Sequence, residues 1–173
     1  MVELELTYLA KTLPANLKDC PSRRIVDYYV TNGTGHSDLR IRKNGDSYEL
    51  TRKTPLKDGD ASKQTETTIV LNQTEFESLS HAKSRKITKK RYLFQYEGQT
   101  AEFDVFDGGL AGLVVIDFEF ANEAEMGSFE MPNFCLADIT QETFIAGGVL
   151  AGKNLSDIKD VLKKFAYCEL ELS

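Results

Sequence analysis

The chain opens Val2-Glu3-Leu4-Glu5-Leu6-Thr7, and the alternation in this stretch decides the fold. Successive side chains of a β-strand point to opposite faces. Glu3, Glu5 and Thr7 therefore share one face, and Val2, Leu4 and Leu6 share the other. An acidic face backed by an apolar one needs a matching partner on each side. The strand is predicted to run to about Lys11, ahead of the break at Pro14.

Later segments repeat the pattern with both signs of charge. Leu39-Arg40-Ile41-Arg42 alternates and is followed by Asn44-Gly45, a strong hairpin signal, and then by a returning arm over Tyr48–Lys53. Arg40 and Arg42 share a face, as do Glu49, Thr51 and Lys53. Glu66 and Thr68 share a face of a strand over 64–71. Lys89 pairs with Arg91 in a strand over 86–96, Glu102 with Asp104 in 100–106, and Asp117 with Glu119 in 113–121. Most opposite-parity positions are apolar or aromatic, among them Leu39, Ile41, Phe103, Val105, Ile116, Phe118 and Phe120. Arg52 and Lys90 break that pattern. A further β-branched and aromatic run, Ile25 to Val30, also reads as a strand, and Asn32 to Gly35 as the loop that ends it.

One such pair describes a half-solvated strand of a sandwich. Its repetition favours a different arrangement, in which the charges face inward. Short connections imply antiparallel neighbours, and closure removes exposed edges. The expected fold is mainly β with peripheral helices (α+β): a closed, eight-stranded antiparallel β-barrel, or tunnel, with a charged lumen, formed by a single domain over residues 1–173. Helices are expected after Asn72, with Glu75 completing a cap, over about 122–129, and over about 155–165, where Leu155, Ile158, Val161, Leu162 and Phe165 form an apolar face. Residues 131–152 read as irregular.

Composition narrows the function. The net charge of -6 argues against a general nucleic-acid binder. No apolar run is long enough to cross a bilayer and no secretory signal pattern opens the chain. Cys20, Cys135 and Cys168 are too widely spaced for a zinc site or a disulfide framework, which points to the cytoplasm. Asn32, Asn72 and Asn154 begin Asn-x-Ser/Thr triplets without meaning in that compartment, His36 and His81 are isolated, and Gly147-Gly148 lacks the frame of a phosphate loop. A lumen with a basic wall and an acidic wall suits a polyanion with bound metal. Arginine and lysine bind phosphate oxygens, and carboxylates hold hard cations such as Mg2+ or Mn2+.

These ordered motifs, from Glu3-x-Glu5 through Leu39-Arg40-Ile41-Arg42, Thr51-x-Lys53, Glu66, Lys89-x-Arg91-Tyr92 and Glu102-x-Asp104-Val105-Phe106 to Asp117-x-Glu119-Phe120, resemble the triphosphate tunnel metalloenzymes, or CYTH superfamily. The resemblance implies metal binding by Glu3, Glu5, Asp117 and Glu119 with Asp104 assisting, and phosphate binding by Arg40, Arg42, Lys53, Lys89 and Arg91. It implies a divalent-metal-dependent triphosphate hydrolase, with Glu5 or Glu119 orienting or deprotonating the attacking water. Substrates in the family are tripolyphosphate, nucleoside triphosphates or thiamine triphosphate; the lack of tryptophan speaks against a thiamine-stacking enzyme of the animal kind. The chain departs from the family at Thr7, where the motif Glu-x-Glu-x-Lys has its lysine, and at Thr68, where a second glutamate is common. Two alternatives stand beside hydrolysis: a class IV-type adenylyl cyclase, and a non-catalytic binder of polyphosphate or nucleotide. Oligomeric state is left open by the sequence.

Overall fold

A computed structural model describes residues 2–30, 38–81 and 85–172. The loop expected over Asn32–Gly35, with Asn32 and His36, lies outside the described residues. Nine strands follow in chain order: β1 (Val2–Ala10), β2 (Ser22–Tyr29), β3 (Leu39–Asn44), β4 (Ser47–Pro55), β5 (Lys63–Leu71), β6 (Lys86–Tyr96), β7 (Gln99–Phe106), β8 (Val114–Phe120) and β9 (Cys135–Asp138). Among the described residues the α-helices are α1 (Gln73–Ser80), α2 (Glu123–Ser128), α3 (Gly147–Leu150) and α4 (Leu155–Lys164).

β1 closes the sheet. Along one edge it pairs antiparallel with β8, and along the other its start pairs with β5 and its end with β9. The remaining order, β5-β4-β3-β2-β6-β7-β8, completes a closed eight-stranded antiparallel barrel. The short β9 extends the edge of β1 and belongs to the stretch read from sequence as irregular. Local signals act as expected. Gly45 takes the β3–β4 turn with φ +60°, a conformation glycine adopts without steric cost. Asn72 and Glu75 form a capping box on α1, which sets Phe76 against Tyr48, ring centroids 4.9 Å apart.

The apolar faces of the barrel wall point outward and carry one of two cores. Leu4, Tyr8, Phe103, Ile116 and Phe118 are buried there beneath Met126, Phe129 and Phe134. Phe129 lies 4.6 Å from Phe118 between ring centroids, so the chain after β8 folds back over the wall. Burying each such aromatic contributes about 2 to 3 kcal/mol. The two pattern breakers stay on the outside: Arg52 is exposed, 3.7 Å from Asp38, and the Lys90 ammonium sits 4.8 Å above the Tyr92 ring centroid.

The second core closes part of one barrel end. Leu9, Ile87, Phe106 and Val115 continue the inward parity of Thr7, Lys89, Asp104 and Asp117, but they are apolar. They pack with Tyr29, Ile139, Leu150, and Ile158 and Leu162 of α4. Inward positions thus change from charged to apolar along each of these strands, and the C-terminal region supplies the plug.

Candidate functional site

The inward faces of the eight barrel strands enclose a cavity of about 560 Å³. Every residue assigned to the site from sequence lines it: Glu3 and Glu5 from β1, Arg40 and Arg42 from β3, Lys53 from β4, Lys89 and Arg91 from β6, Asp104 from β7, and Asp117 and Glu119 from β8.

The carboxylates divide into two groups. Glu3, Glu5 and Glu119 each place an oxygen within 4.8 Å of the others. The β1–β8 register explains this, because Glu5 lies directly opposite Glu119. Desolvation, then the charges of Glu102, Glu3 and Glu5, push the Glu119 carboxyl up from 4.5 to about 7. Asp104 and Asp117 are instead held by cations. Arg91 grips Asp104 through Nε at 2.7 Å and Nη2 at 2.6 Å, and also reaches Asp117 at 3.0 Å and Glu102. Lys89 pairs with Asp104 as well. Burial would raise the Asp104 carboxyl, but the Arg91 and Lys89 charges outweigh it and hold it well below the usual range. Asp117 instead is pushed up to about 6, by burial and then by the Glu5 charge.

The basic groups also face carboxylates. Arg42 is locked bidentately on buried Asp27, Nε at 2.6 Å and Nη2 at 2.8 Å, across the β2–β3 ladder. Burial favours a neutral Asp27, yet Arg42 outweighs it and holds the carboxyl at about 2. Arg40 lies 3.7 Å from Glu66. Lys53 Nζ lies 2.5 Å from Glu3, 3.6 Å from Glu5 and 3.8 Å from Glu66. Thr7 turns its hydroxyl to Asp117 at 2.9 Å, and its amide is bound by the Thr140 hydroxyl at 3.0 Å.

Sequence reasoning missed three parts of this cavity. β2 begins at Ser22, so Arg23, Asp27 and Tyr29 share its inward face. The alternation Arg23-x-x-x-Asp27-x-Tyr29 was the signal, hidden by starting the strand at Ile25. The segment from Thr140 to Gly148 also lines the cavity, and neither periodicity nor a motif marks it. Finally, the loop after β4 reaches the site, with Gln141 accepting from the Ala61 amide at 2.9 Å and donating to Asp60 at 3.2 Å.

The donor chemistry fits a hard divalent cation. Glu3, Glu5 and Glu119 offer carboxylate oxygens, the ligand type of Mg2+ and Mn2+. Burial and then the neighbouring Glu102, Glu3 and Glu5 charges raise the Glu119 carboxyl, as expected where several carboxylates crowd together.

Comparison with known proteins agrees with this geometry. The sequence profile of the CYTH domain matches residues 22–145. An inorganic triphosphatase of Nitrosomonas europaea is 33% identical over 145 residues, spanning 82% of this chain and 91% of that protein. A crystal structure of an inorganic triphosphatase superposes with a TM-score of 0.64 at 28% identity, covering 86% of this chain and 93% of that one. A Pyrococcus furiosus protein shares the fold, with a TM-score of 0.54, 18% identity, and coverage of 73% of this chain and 83% of its own. With its closed antiparallel barrel, inward charges and a profile match across most of its length, the chain belongs to the CYTH domain family of triphosphate tunnel proteins.

Proposed function

We propose that this protein is a divalent-metal-dependent triphosphatase whose substrate is inorganic tripolyphosphate. The observation that carries this reading is the apposition, in one cavity, of the Glu3–Glu5–Glu119 trio and the cations of β3, β4 and β6. Similarity to an inorganic triphosphatase supports the choice of substrate.

Glu3, Glu5 and Glu119 would hold the ion, Mg2+ or Mn2+, which supplies charge neutralisation at the phosphoryl group when bound. Arg40, Arg42, Lys53, Lys89 and Arg91, which line the same cavity, bind the phosphate chain. Arg42 and Arg91 arrive pre-oriented, because Asp27 and Asp104 fix their guanidinium planes. Fixed donors cost little reorganisation as charge moves to the leaving oxygen. Water attacks a terminal phosphorus, the bridging P–O bond breaks, and phosphate and pyrophosphate leave. In this reading Glu119, with Glu5 opposite it in the β1–β8 register, orients that water and takes its proton. Asp104 acts in this scheme through Arg91 and Lys89, while Asp117 borders the trio through its neighbour Glu5. Thr7 leaves this region one positive charge short of the family motif, which sets the rate below that of a lysine-bearing site.

No helix among the described residues is long and apolar enough to cross a membrane. The three cysteines are free, and the cytoplasm is the compartment that fits them.

Phosphate release from tripolyphosphate, ATP and thiamine triphosphate, each with and without Mg2+ or Mn2+, tests the proposal. Metal-dependent release, fastest from tripolyphosphate, is expected. No release from any substrate with either metal overturns it, and cyclic AMP formed from ATP would assign a cyclase instead.

A further inference from the structure

Lys53 holds a position that no other basic group among the described residues shares. Its ammonium sits against Glu3 and Glu5, two members of the carboxylate trio that would hold the metal. Arg42 and Arg91, in contrast, rest on Asp27 and Asp104, which lie outside that trio. Lys53, Glu3 and Glu5 are all largely sequestered, with side-chain exposures of 19%, 18% and 18%. A lysine ammonium is a compact point charge on a flexible stem, so it can leave its partners without disturbing the backbone. A guanidinium clamped bidentately cannot.

We propose that Lys53 is an exchangeable counter-ion: it neutralises Glu3 and Glu5 until a divalent cation takes them, and the displaced ammonium then becomes a phosphate ligand. This rests on the metal site proposed above. The reason is electrostatic. A divalent ion between Glu3, Glu5 and Glu119 takes over the carboxylate oxygens that Lys53 contacts, and it repels the ammonium. The side chain has a second carboxylate to lean on, Glu66 at 3.8 Å, which lies opposite it in the β4–β5 register and also borders Arg40. From there it faces the same cavity as Arg40 and Arg42. Metal and triphosphate therefore bind cooperatively. Each strengthens the other, because the metal frees the cation that the triphosphate takes.

Removing the ammonium separates the two effects. Lys53→Met keeps the length of the stem and deletes the charge. Titration calorimetry of Mn2+ into the metal-free protein, with no phosphate present, should show Lys53→Met binding Mn2+ about tenfold more tightly than the unmodified chain. Tripolyphosphate binding in the presence of metal should weaken in the same variant. Equal or weaker Mn2+ binding by a folded Lys53→Met protein overturns the exchange while leaving the metal site standing. Absence of Mn2+ binding in both proteins overturns the exchange and the metal site together. A second measurement avoids the variant's stability altogether. In the unmodified sequence, reductively 13C-methylated lysines can be followed by NMR during an Mg2+ titration, with the Lys53 signal assigned by its loss in Lys53→Arg. A shift of that signal that saturates with Mg2+ is expected, and a signal that stays fixed while Mg2+ binds overturns the proposal.

Discussion

The Thr7 hydroxyl donates a 2.9 Å hydrogen bond to the Asp117 carboxylate, from the position directly opposite it in the β1–β8 register. A neutral donor thus stands where the family motif has a lysine, and Arg91 is left as the charged partner of Asp117. Thr7→Lys would place an ammonium opposite Asp117 in the same cavity. Turnover of tripolyphosphate should rise about a hundredfold, the lower end of the usual worth of one donor aimed at developing negative charge. Steady-state phosphate release measures it; an unchanged or lower kcat in a folded variant refutes the rate-limiting role given to Thr7.

Glu119 makes the metal-free protein sensitive to pH. Its carboxyl titrates near 4.5 in an unfolded chain and at about 7 in the fold, so between these values the folded state binds more protons. Stability falls as pH rises wherever the folded state holds the extra proton. Thermal melting in chelator should therefore decline from pH 4.5 to 7, and saturating Mg2+ should flatten the decline. Glu119→Gln should remove the slope between about pH 6 and 7 in chelator and leave below it the part that Asp117, pushed up to about 6, contributes.

Arg91 anchors the interior network. Replacing it with Met leaves Asp104, 1% exposed, with Lys89 as its remaining ion-pair partner. Removing one member of a buried pair costs about 3 to 5 kcal/mol, which urea unfolding would record.

Asp104→Asn discriminates between metal ligation and support of the basic wall. If Asp104 acts through Arg91 and Lys89, the variant loses tripolyphosphate affinity and keeps its Mn2+ affinity within about twofold, whereas Glu119→Gln loses Mn2+ affinity by about tenfold or more. Calorimetry of Mn2+ alone checks both.

Gly147 packs directly beneath Tyr29, and a Cβ there would run into the tyrosine Oη and Cζ. Gly147→Ala should cost about 1 to 3 kcal/mol through overpacking. Tyr29→Phe in the same chain should recover part of that loss, a coupling that a double-mutant cycle of melting temperatures would reveal.

The loop that latches onto the C-terminal segment shows what local pattern hides. Gln141 bridges to Asp60 and Ala61 across about 80 residues of chain, and neither end carries a periodic signal. β2 shows a milder failure. Its inward residues alternate correctly, but the β-branched and aromatic run marks the strand only from Ile25, and Asp27 stays outside the set of site residues read from sequence. β9 is too short for its alternation to stand out in sequence.

What the sequence determined by itself was face. Glu3 with Glu5, Arg40 with Arg42, Lys89 with Arg91, Glu102 with Asp104 and Asp117 with Glu119 had to share sides, because the strand period of two is a local property of the backbone. Repetition of that pattern in both signs was enough to indicate an inward-charged barrel. What only the tertiary structure decided was company. Closure of β1 between β5 and β8 brings Glu119, rather than Asp104, to Glu3 and Glu5, lays Lys53 across them, and sets Asp27 on Arg42. Those pairings depend on register between strands far apart in the chain, and register is fixed by the whole sheet closing at once and by the plug packed into its end.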